Sequence, residues 1–303
     1  MGEVVCRPQP LAPLPSGVGE SASPQAGQHL SLRVACAKGT STSFVAHQYA
    51  TYPFRLSGNL RLDPTDKERV YAYIMNASPG ILAGDDLRMS VEVSDRARLY
   101  LTDQSATKVH SQSAAGPAAA VEWNIKVGAG AYLEFVPEPM ILFSSAALTQ
   151  KVDVRLHPEG QMVLSEIVVP GRIARGEFYA FEQFKSRLEV RSPTGTLHFA
   201  DTLKLLGQSN RFRNHPSLTD YPILGNFIII APDLDLDRLS QLINTIGISA
   251  NALQFGSSPL PNCPGLLVRA TATQTSILRQ FQHHIVSATR QLLKQASLPK
   301  IPK

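Results

Sequence analysis

Leu87–Gln112 reads "LRMSVEVSDRARLYLTDQSATKVHSQ". In "LRMSVEVS" (Leu87–Ser94) and again in "ARLYLT" (Ala97–Thr102), apolar and polar residues alternate. A strand turns successive side chains to opposite faces, so a period of two marks a strand with one buried face. The alternation returns in "VYAYIMNA" (Val70–Ala77), "AVEWNIKV" (Ala120–Val127), "AYLEFV" (Ala131–Val136), "QKVDVRL" (Gln150–Leu156) and "SRLEVRS" (Ser186–Ser192). Gly, Pro, Asp or Ser clusters separate these runs at short intervals. Many short strands with frequent turn signals predict a mainly β protein: a single, many-stranded, mostly antiparallel β-rich domain. No helix-length amphipathic stretch interrupts the body from Leu30 to about Leu205, which argues against a βαβ parallel sheet.

The character changes toward the C-terminus. Residues 207–226, "GQSNRFRNHPSLTDYPILGN", read as a long loop. "FIIIA" (Phe227–Ala231) and "GLLVRATAT" (Gly265–Thr273) read as strands. Asp233 or Asp235 caps a helix running to about Ile246. Ile277, Leu278, Phe281, Ile285, Ala288 and Leu292 mark one face of a second helix, from about Gln274 to Gln295. The expected layout is a disordered Pro/Ser/Gly-rich tail over residues 1–28 and one domain over 29–303. Within that domain a β body spans 29–206, and a C-terminal part with two helices spans 207–303. No internal repeat is visible.

Composition bounds the function. Of 303 residues 43% are hydrophobic, enough for a sizeable core, and only 17% are charged. The net charge of +5 is unevenly spread: no Asp or Glu follows Asp237, so residues 238–303 carry +7 and residues 1–237 carry −2. The basic residues of that end are diluted among apolar ones and aromatics are scarce there, so nucleic acid is not the expected partner. Cys6, Cys36 and Cys263 are odd in number and far apart, which fits a reducing compartment without a disulfide framework. No apolar run approaches the ~18 residues of a spanning helix. The N-terminus lacks the basic start and apolar block of a secretory signal. The expectation is a soluble, cytoplasmic protein with no membrane partner.

The opening stretch also holds Ser105-Ala106-Thr107-Lys108, the spacing of a serine nucleophile with a lysine base. Such pairs work where a helix places the lysine one turn from the serine. Here a strand runs into a turn, and positions i and i+3 of an extended chain point to opposite faces. A serine hydrolase using Ser105 and Lys108 is therefore a remote alternative. "SPGILAGDD" (Ser78–Asp86) has two glycines but no phosphate-loop lysine, and two acids follow it. The eight histidines are scattered, with no His-x-His or H-E-x-x-H pattern, so no tight metal site is predicted. Asp85, Asp86, Glu166, Glu177 and Asp201 stand at or near turns or strand ends as hard ligands able to touch a hydrated ion weakly.

Five stretches, in order, resemble one family, the urease accessory protein UreD (UreH in some nomenclature). "MNASPGILAGDDLRMSVEV" is similar to its Pro-Gly-Gly-x-x-x-Gly-Asp turn, and "LYLTDQSATKVHS" to its Leu-x-Thr-x-x-x-[ST]-Lys-x-Tyr segment. "LEFVPEPMILFSSAALTQKVDVRL" resembles its Leu-Glu-[FYW]-x-Pro block, and "LSEIVVPGRIARGEFYAF" its Gly-Arg-x-x-x-Gly-Glu turn. "PGLLVRATA" and the last helix resemble its C-terminal strand and helix. The similarity runs from about Phe44 to Leu293. It departs at Ile81 and Ala83, where glycine is usual, and at His110, where tyrosine is usual.

The resemblance implies a β-rich domain with two helices near the C-terminus. It implies a non-catalytic scaffold and nickel conduit that acts with UreF, and through UreF with the GTPase UreG, on apo-urease. Ni²⁺ would be in transit, with no cofactor stably bound. Carried over residue by residue, it makes Asp85, Thr107, Glu166 and Asp201 the candidate nickel path. It makes Gly80, Gly84, Lys108, Gly171, Arg172, Gly176 and Glu177 the structural motif residues, of which Lys108, Arg172 and Glu177 would hold the walls of the path. A plain interaction module without an ion path is the nearer alternative.

Overall fold

The computed structural model describes residues 27–58, 60–63, 66–112, 116–209 and 216–302. All but residues 27 and 28 of the expected tail lie outside the described residues. In chain order the strands are β1 (Leu30–Cys36), β2 (Ser43–Ala50), β3 (Phe54–Leu56), β4 (Arg69–Asn76), β5 (Asp86–Val93), β6 (Arg98–Asp103), β7 (Thr107–Val109), β8 (Ala119–Val127) and β9 (Tyr132–Phe135). They continue with β10 (Met140–Leu142), β11 (Ala147–Leu156), β12 (Gln161–Val169), β13 (Gln183–Arg191), β14 (Leu197–Leu205), β15 (Ile223–Ile230), β16 (Leu253–Pro259) and β17 (Gly265–Ala272). Helices α1 (Pro216–Thr219), α2 (Leu236–Asn244) and α3 (Thr275–Leu292) complete the order. The two expected C-terminal helices are α2 and α3. Asp235 caps α2 by accepting from the Arg238 backbone N–H at 2.8 Å.

The strands form two sheets. One runs β14-β13-β11-β8-β5-β1-β2, and the other runs β16-β17-β15-β12-β9-β6-β4-β3 with β10 and β7 attached through β12. The expectation of mostly antiparallel sheets is corrected: both are mixed. In the first sheet β5, β8, β11 and β13 are mutually parallel, and in the second so are β4, β6, β9 and β12. Antiparallel pairs sit toward the margins, as in β1–β2, β13–β14 and β16–β17.

The reason lies in the turns. From β4 to β13 the main strands alternate between the sheets: β5, β8, β11 and β13 lie in one, β4, β6, β9 and β12 in the other. Sheets pack about 10 Å apart, and a short turn between them reverses the chain. The next strand to enter the same sheet then runs in the original direction. Residues 94–97, 128–131 and 157–160 make three such crossings of equal length. They stack, with Arg96 N donating to Ala129 O at 2.8 Å and Gly128 N to Val93 O at 2.9 Å. The opposite end carries the longer connections 77–85, 104–118, 136–146 and 170–182.

Burial follows the layers. Strands of the first sheet alternate buried and exposed, as in β8, because one face meets water. Central strands of the second sheet are buried on both faces, as in β9, while its edge strand β16 is largely exposed. Its inner face packs against the first sheet through Leu99, Leu101 and Leu164. Its outer face is covered by α2 and α3 through Phe227, Phe281 and Ile285. The Phe227 and Phe281 rings meet edge to face at 5.5 Å.

A buried charge cluster fastens α3 to this outer face. Glu134 of β9 accepts from Arg290 Nε of α3 at 2.7 Å and from Arg69 Nη1 of β4 at 3.0 Å. All three residues are fully buried. Arg69 Nε also reaches Asp66 at 3.3 Å, and Arg290 Nη1 donates to the Ser297 carbonyl at 3.2 Å. Burial pushes the Glu134 carboxyl up, but the two guanidinium groups together hold it below its ordinary range. An acid with a depressed folded pKa contributes stability above its unfolded pKa and loses it as pH falls through the folded one. Glu134→Ala leaves two buried guanidinium groups facing each other. It is expected to lower the unfolding free energy by about 3–5 kcal/mol, read by urea denaturation at neutral pH. The gap from wild type should narrow on acidification, and a gap that is small and independent of pH would contradict this account.

Candidate functional site

The inward rows of several strands are apolar until they reach the long-loop end, where each carries a polar residue. On β12 the row Met162, Leu164, Glu166, Val168 is broken by the glutamate. On β11 it is Gln150 among Leu148 and Val152, and on β13 Ser186 between Phe184 and Leu188. Asn226 on β15, Asp201 on β14, Asp103 on β6 and Asn76 on β4 occupy the same kind of position. Polar side chains fill the space between two sheets less tightly than branched apolar ones. They line a cavity of about 290 Å³ between the sheets, with Trp123 and Phe135 among its apolar walls.

Glu166 is its chemical centre. Its carboxylate accepts from Gln150 Nε2 at 2.7 Å, Ser186 Oγ at 2.9 Å and Asn226 Nδ2 at 3.4 Å. All three donors are neutral. The surface Glu166 retains faces the cavity. Burial pushes its carboxyl above the ordinary range; the three hydrogen bonds oppose that, and the charge of Asp201 adds to it. Asp201 lines the same cavity and is held by Arg269 Nη2 of β17 at 2.6 Å. The arrangement offers a carboxylate at a largely apolar cavity, with amide and hydroxyl donors and, among the described residues, no cation hydrogen-bonded to Glu166.

Two glycine turns shape the long-loop end. Gly80 sits at φ 155°, where an added Cβ would run into the Lys108 carbonyl oxygen. This lets residues 79–81 lie against β7: Ile81 N donates to Lys108 O at 2.8 Å and His110 N to Ile81 O at 2.9 Å. Gly171 sits at φ 141°, and a Cβ there would meet the Glu177 carbonyl. Arg172 closes that turn on itself, its Nε donating to Glu177 Oε2 at 2.9 Å. The hydrogen bond from Arg172 holds the Glu177 carboxyl below its ordinary range. A stack joins the two turns: the Arg172 guanidinium lies 4.4 Å from the Phe143 ring centroid, and Phe143 meets His110 at 5.0 Å. His110 supplies the second aromatic ring of this stack.

The candidate path residues are only partly brought together. Thr107, Glu166 and Asp201 line the cavity, as do Gly80, Ser105 and Lys108. Asp85 is not among the lining residues. Its side chain accepts from the Leu82 backbone N–H at 2.8 Å and closes its own turn. Gly84 belongs to that turn at φ 81°. Gly171, Arg172, Gly176 and Glu177 form the other turn and do not line the cavity. Ser105 and Lys108 both face the cavity, but among the described residues no hydrogen bond joins them. No group of three or more His, Cys, Asp or Glu converges among the described residues. Gln150, Ser186 and Asn226 were missed from sequence. The signal was present: each is a polar residue at an inward parity of an otherwise apolar row.

A family profile described as the UreD urease accessory protein matches residues 26–303. The chain belongs to the UreD family. A urease accessory protein UreD from Trichodesmium erythraeum (strain IMS101) is 42% identical over 276 residues, covering 91% of this chain and 99% of the relative. One from Haloarcula marismortui is 33% identical over 255 residues, covering 84% of each chain. One from Natronomonas pharaonis is 30% identical over 261 residues, covering 86% of each. The two glycine turns of this UreD-family chain both lie at the long-loop end. No helix among the described residues is long and apolar enough to cross a membrane.

The raised Glu166 carboxyl has a consequence for stability. An acid whose folded pKa is raised binds its proton more tightly when folded, so stability falls as pH climbs from the unfolded pKa through the folded one. Glu166→Gln preserves the shape and removes the titration. Its stability advantage over wild type is expected to grow with pH across that window, measured by thermal unfolding in a pH series. Parallel curves for the two proteins would show that Glu166 ionises as freely as an exposed carboxyl.

Proposed function

We propose that this UreD-family chain is a non-catalytic scaffold of urease maturation whose inter-sheet cavity conducts Ni²⁺ toward apo-urease. In this reading it works in a complex with UreF and, through UreF, with the GTPase UreG, in the cytoplasm. Nickel is cargo rather than a resident cofactor. The observation that carries the reading is the carboxylate of Glu166, set in a cavity among neutral donors with Asp201 beside it.

The chemistry suits transit. Thiolate and imidazole ligands would hold Ni²⁺ tightly, whereas carboxylate, amide, hydroxyl and water oxygens bind it more weakly and exchange sooner. A water takes about 30 Å³ of liquid volume, so the cavity has room for an ion that keeps part of its water shell. Glu166 would attract the ion, and Gln150, Ser186 and Asn226 would exchange between the carboxylate and the ion's waters. Thr107 adds a hydroxyl to the wall. Lys108, also on the wall, is exposed, and its ammonium turned inward would oppose passage. Asp85 serves the path by holding its turn, and Arg172 with Glu177 holds the neighbouring one. The family's accessory role argues against reading Ser105 as a nucleophile.

Two variants test the conduit. Glu166→Gln and Asp201→Ala are expected to lower the nickel content of urease activated in their presence severalfold, read by elemental analysis, while co-purification with UreF stays intact. Nickel content unchanged in both variants would leave the chain a scaffold without an ion path.

A further inference from the structure

The second sheet has its outer face covered by α2 and α3, but nothing among the described residues covers the outer face of the first. Parallel register aligns the charges on that face into rows. One row reads Arg191, Arg155, Lys126, Glu92, Arg33 and His47 across β13, β11, β8, β5, β1 and β2, each residue in register with the next. Neighbouring strands lie about 4.8 Å apart, so the row spans roughly 24 Å. Lys126 and Arg155 are exposed and Arg33 is half-buried.

The next rows along the strands balance their charge and this one does not. Lys151 pairs with Asp153 at 2.6 Å, Arg88 with Asp86 at 2.7 Å, and Arg187 with Glu189 at 2.5 Å. In the long row Arg191 shares Glu189, and Arg155 donates to the Pro193 carbonyl at 3.3 Å. Lys126 and Arg33 take no carboxylate partner among the described residues. Like charges in register on adjacent strands are destabilising, and Arg191, Arg155 and Lys126 are three in succession. The row lies toward the short-turn end, next to turns 128–131 and 157–160, and none of its residues lines the cavity. Neither the fold nor the proposed ion path has a use for it.

We propose that this cationic row is a docking surface for an acidic patch on a protein partner in the maturation complex. The face is charged rather than apolar, which fits a polar protein surface and not a lipid tail region. Carboxylates interleave with the cations at Glu92, Glu122, Asp153 and Glu189. A uniform polyanion such as nucleic acid is repelled by them, whereas a protein surface of mixed charge can match them. The proposal rests on the accessory reading above, because the partner is sought among the proteins of that complex. A partner seated there leaves the long-loop end and its cavity free.

The test uses the full chain with purified UreF and purified apo-urease as separate probes. Lys126→Glu/Arg155→Glu is expected to weaken binding to one of the two at least tenfold and to flatten its salt dependence, with an intermediate loss for Lys126→Gln/Arg155→Gln. Thermal unfolding of both variants checks that they fold; the neutral pair, which removes like-charge contacts, keeps the test open should the reversed pair fail. Unchanged affinity for both probes overturns the docking surface and leaves the accessory reading standing. Wild type that binds neither probe overturns both. Wild type that binds a short duplex RNA through these residues, and loses it in the variants while holding both proteins, overturns the protein partner in favour of nucleic acid.

Discussion

The crossing turn is the constraint on which the rest of this structure depends. Four residues carry the chain from one sheet to the other at 94–97, 128–131 and 157–160. Each crossing forbids the two strands it joins from pairing with one another. Successive strands therefore stack as rungs, and parallel neighbours arise without a helix between them. Parallel strands usually need a long crossover; here the crossover is the intervening strand of the opposite sheet. From β4 to β13 the same device puts the three short turns at one end and the longer connections at the other. The cavity therefore lies at the end where the chain has residues to spare.

Two opposite treatments of buried charge stand on the two faces of one sheet, Glu134 nearer the short turns and Glu166 nearer the long-loop end. On the outer face Glu134 lies between Arg69 and Arg290, so its charge is matched and α3 is fixed in place. On the inner face Glu166 has only amide and hydroxyl donors. Burial raises the carboxyl of Glu166, whereas two cations overcome burial at Glu134. The first arrangement is closed chemically. The second leaves a buried carboxylate with no cation hydrogen-bonded to it among the described residues.

The two glycine turns explain why this end tolerates an imperfectly filled interior. Backbone contact at Gly80 and Gly171, together with the Arg172–Phe143–His110 stack, ties the long connections to one another, and Ile81, Val109, Leu142 and Phe181 anchor them in the core. Asp85 belongs to this support: its carboxylate is satisfied by its own turn, so it shapes the cavity's surroundings without lining it.

Period-two alternation determined by itself that the chain is built of strands and which residues of each share a face, while a capping aspartate and the 3.6-residue period placed α2 and α3. Those are local properties, set by the geometry of one strand or one helix turn. The family turns were legible too, because glycine at a left-handed position leaves its mark in sequence. Pairing was not legible. Alternation fixes the face a residue occupies but not the neighbour its strand acquires, and a hairpin turn and a crossing turn use the same residue types. The absence of a visible repeat hid the rungs, whose geometry recurs while their residues do not. Glu166 and Asp201 could be named from motif, but Gln150, Ser186 and Asn226 joined them only when strands far apart in sequence were laid side by side. The cationic row is likewise a product of register: its members are ordinary surface residues until the sheet aligns them.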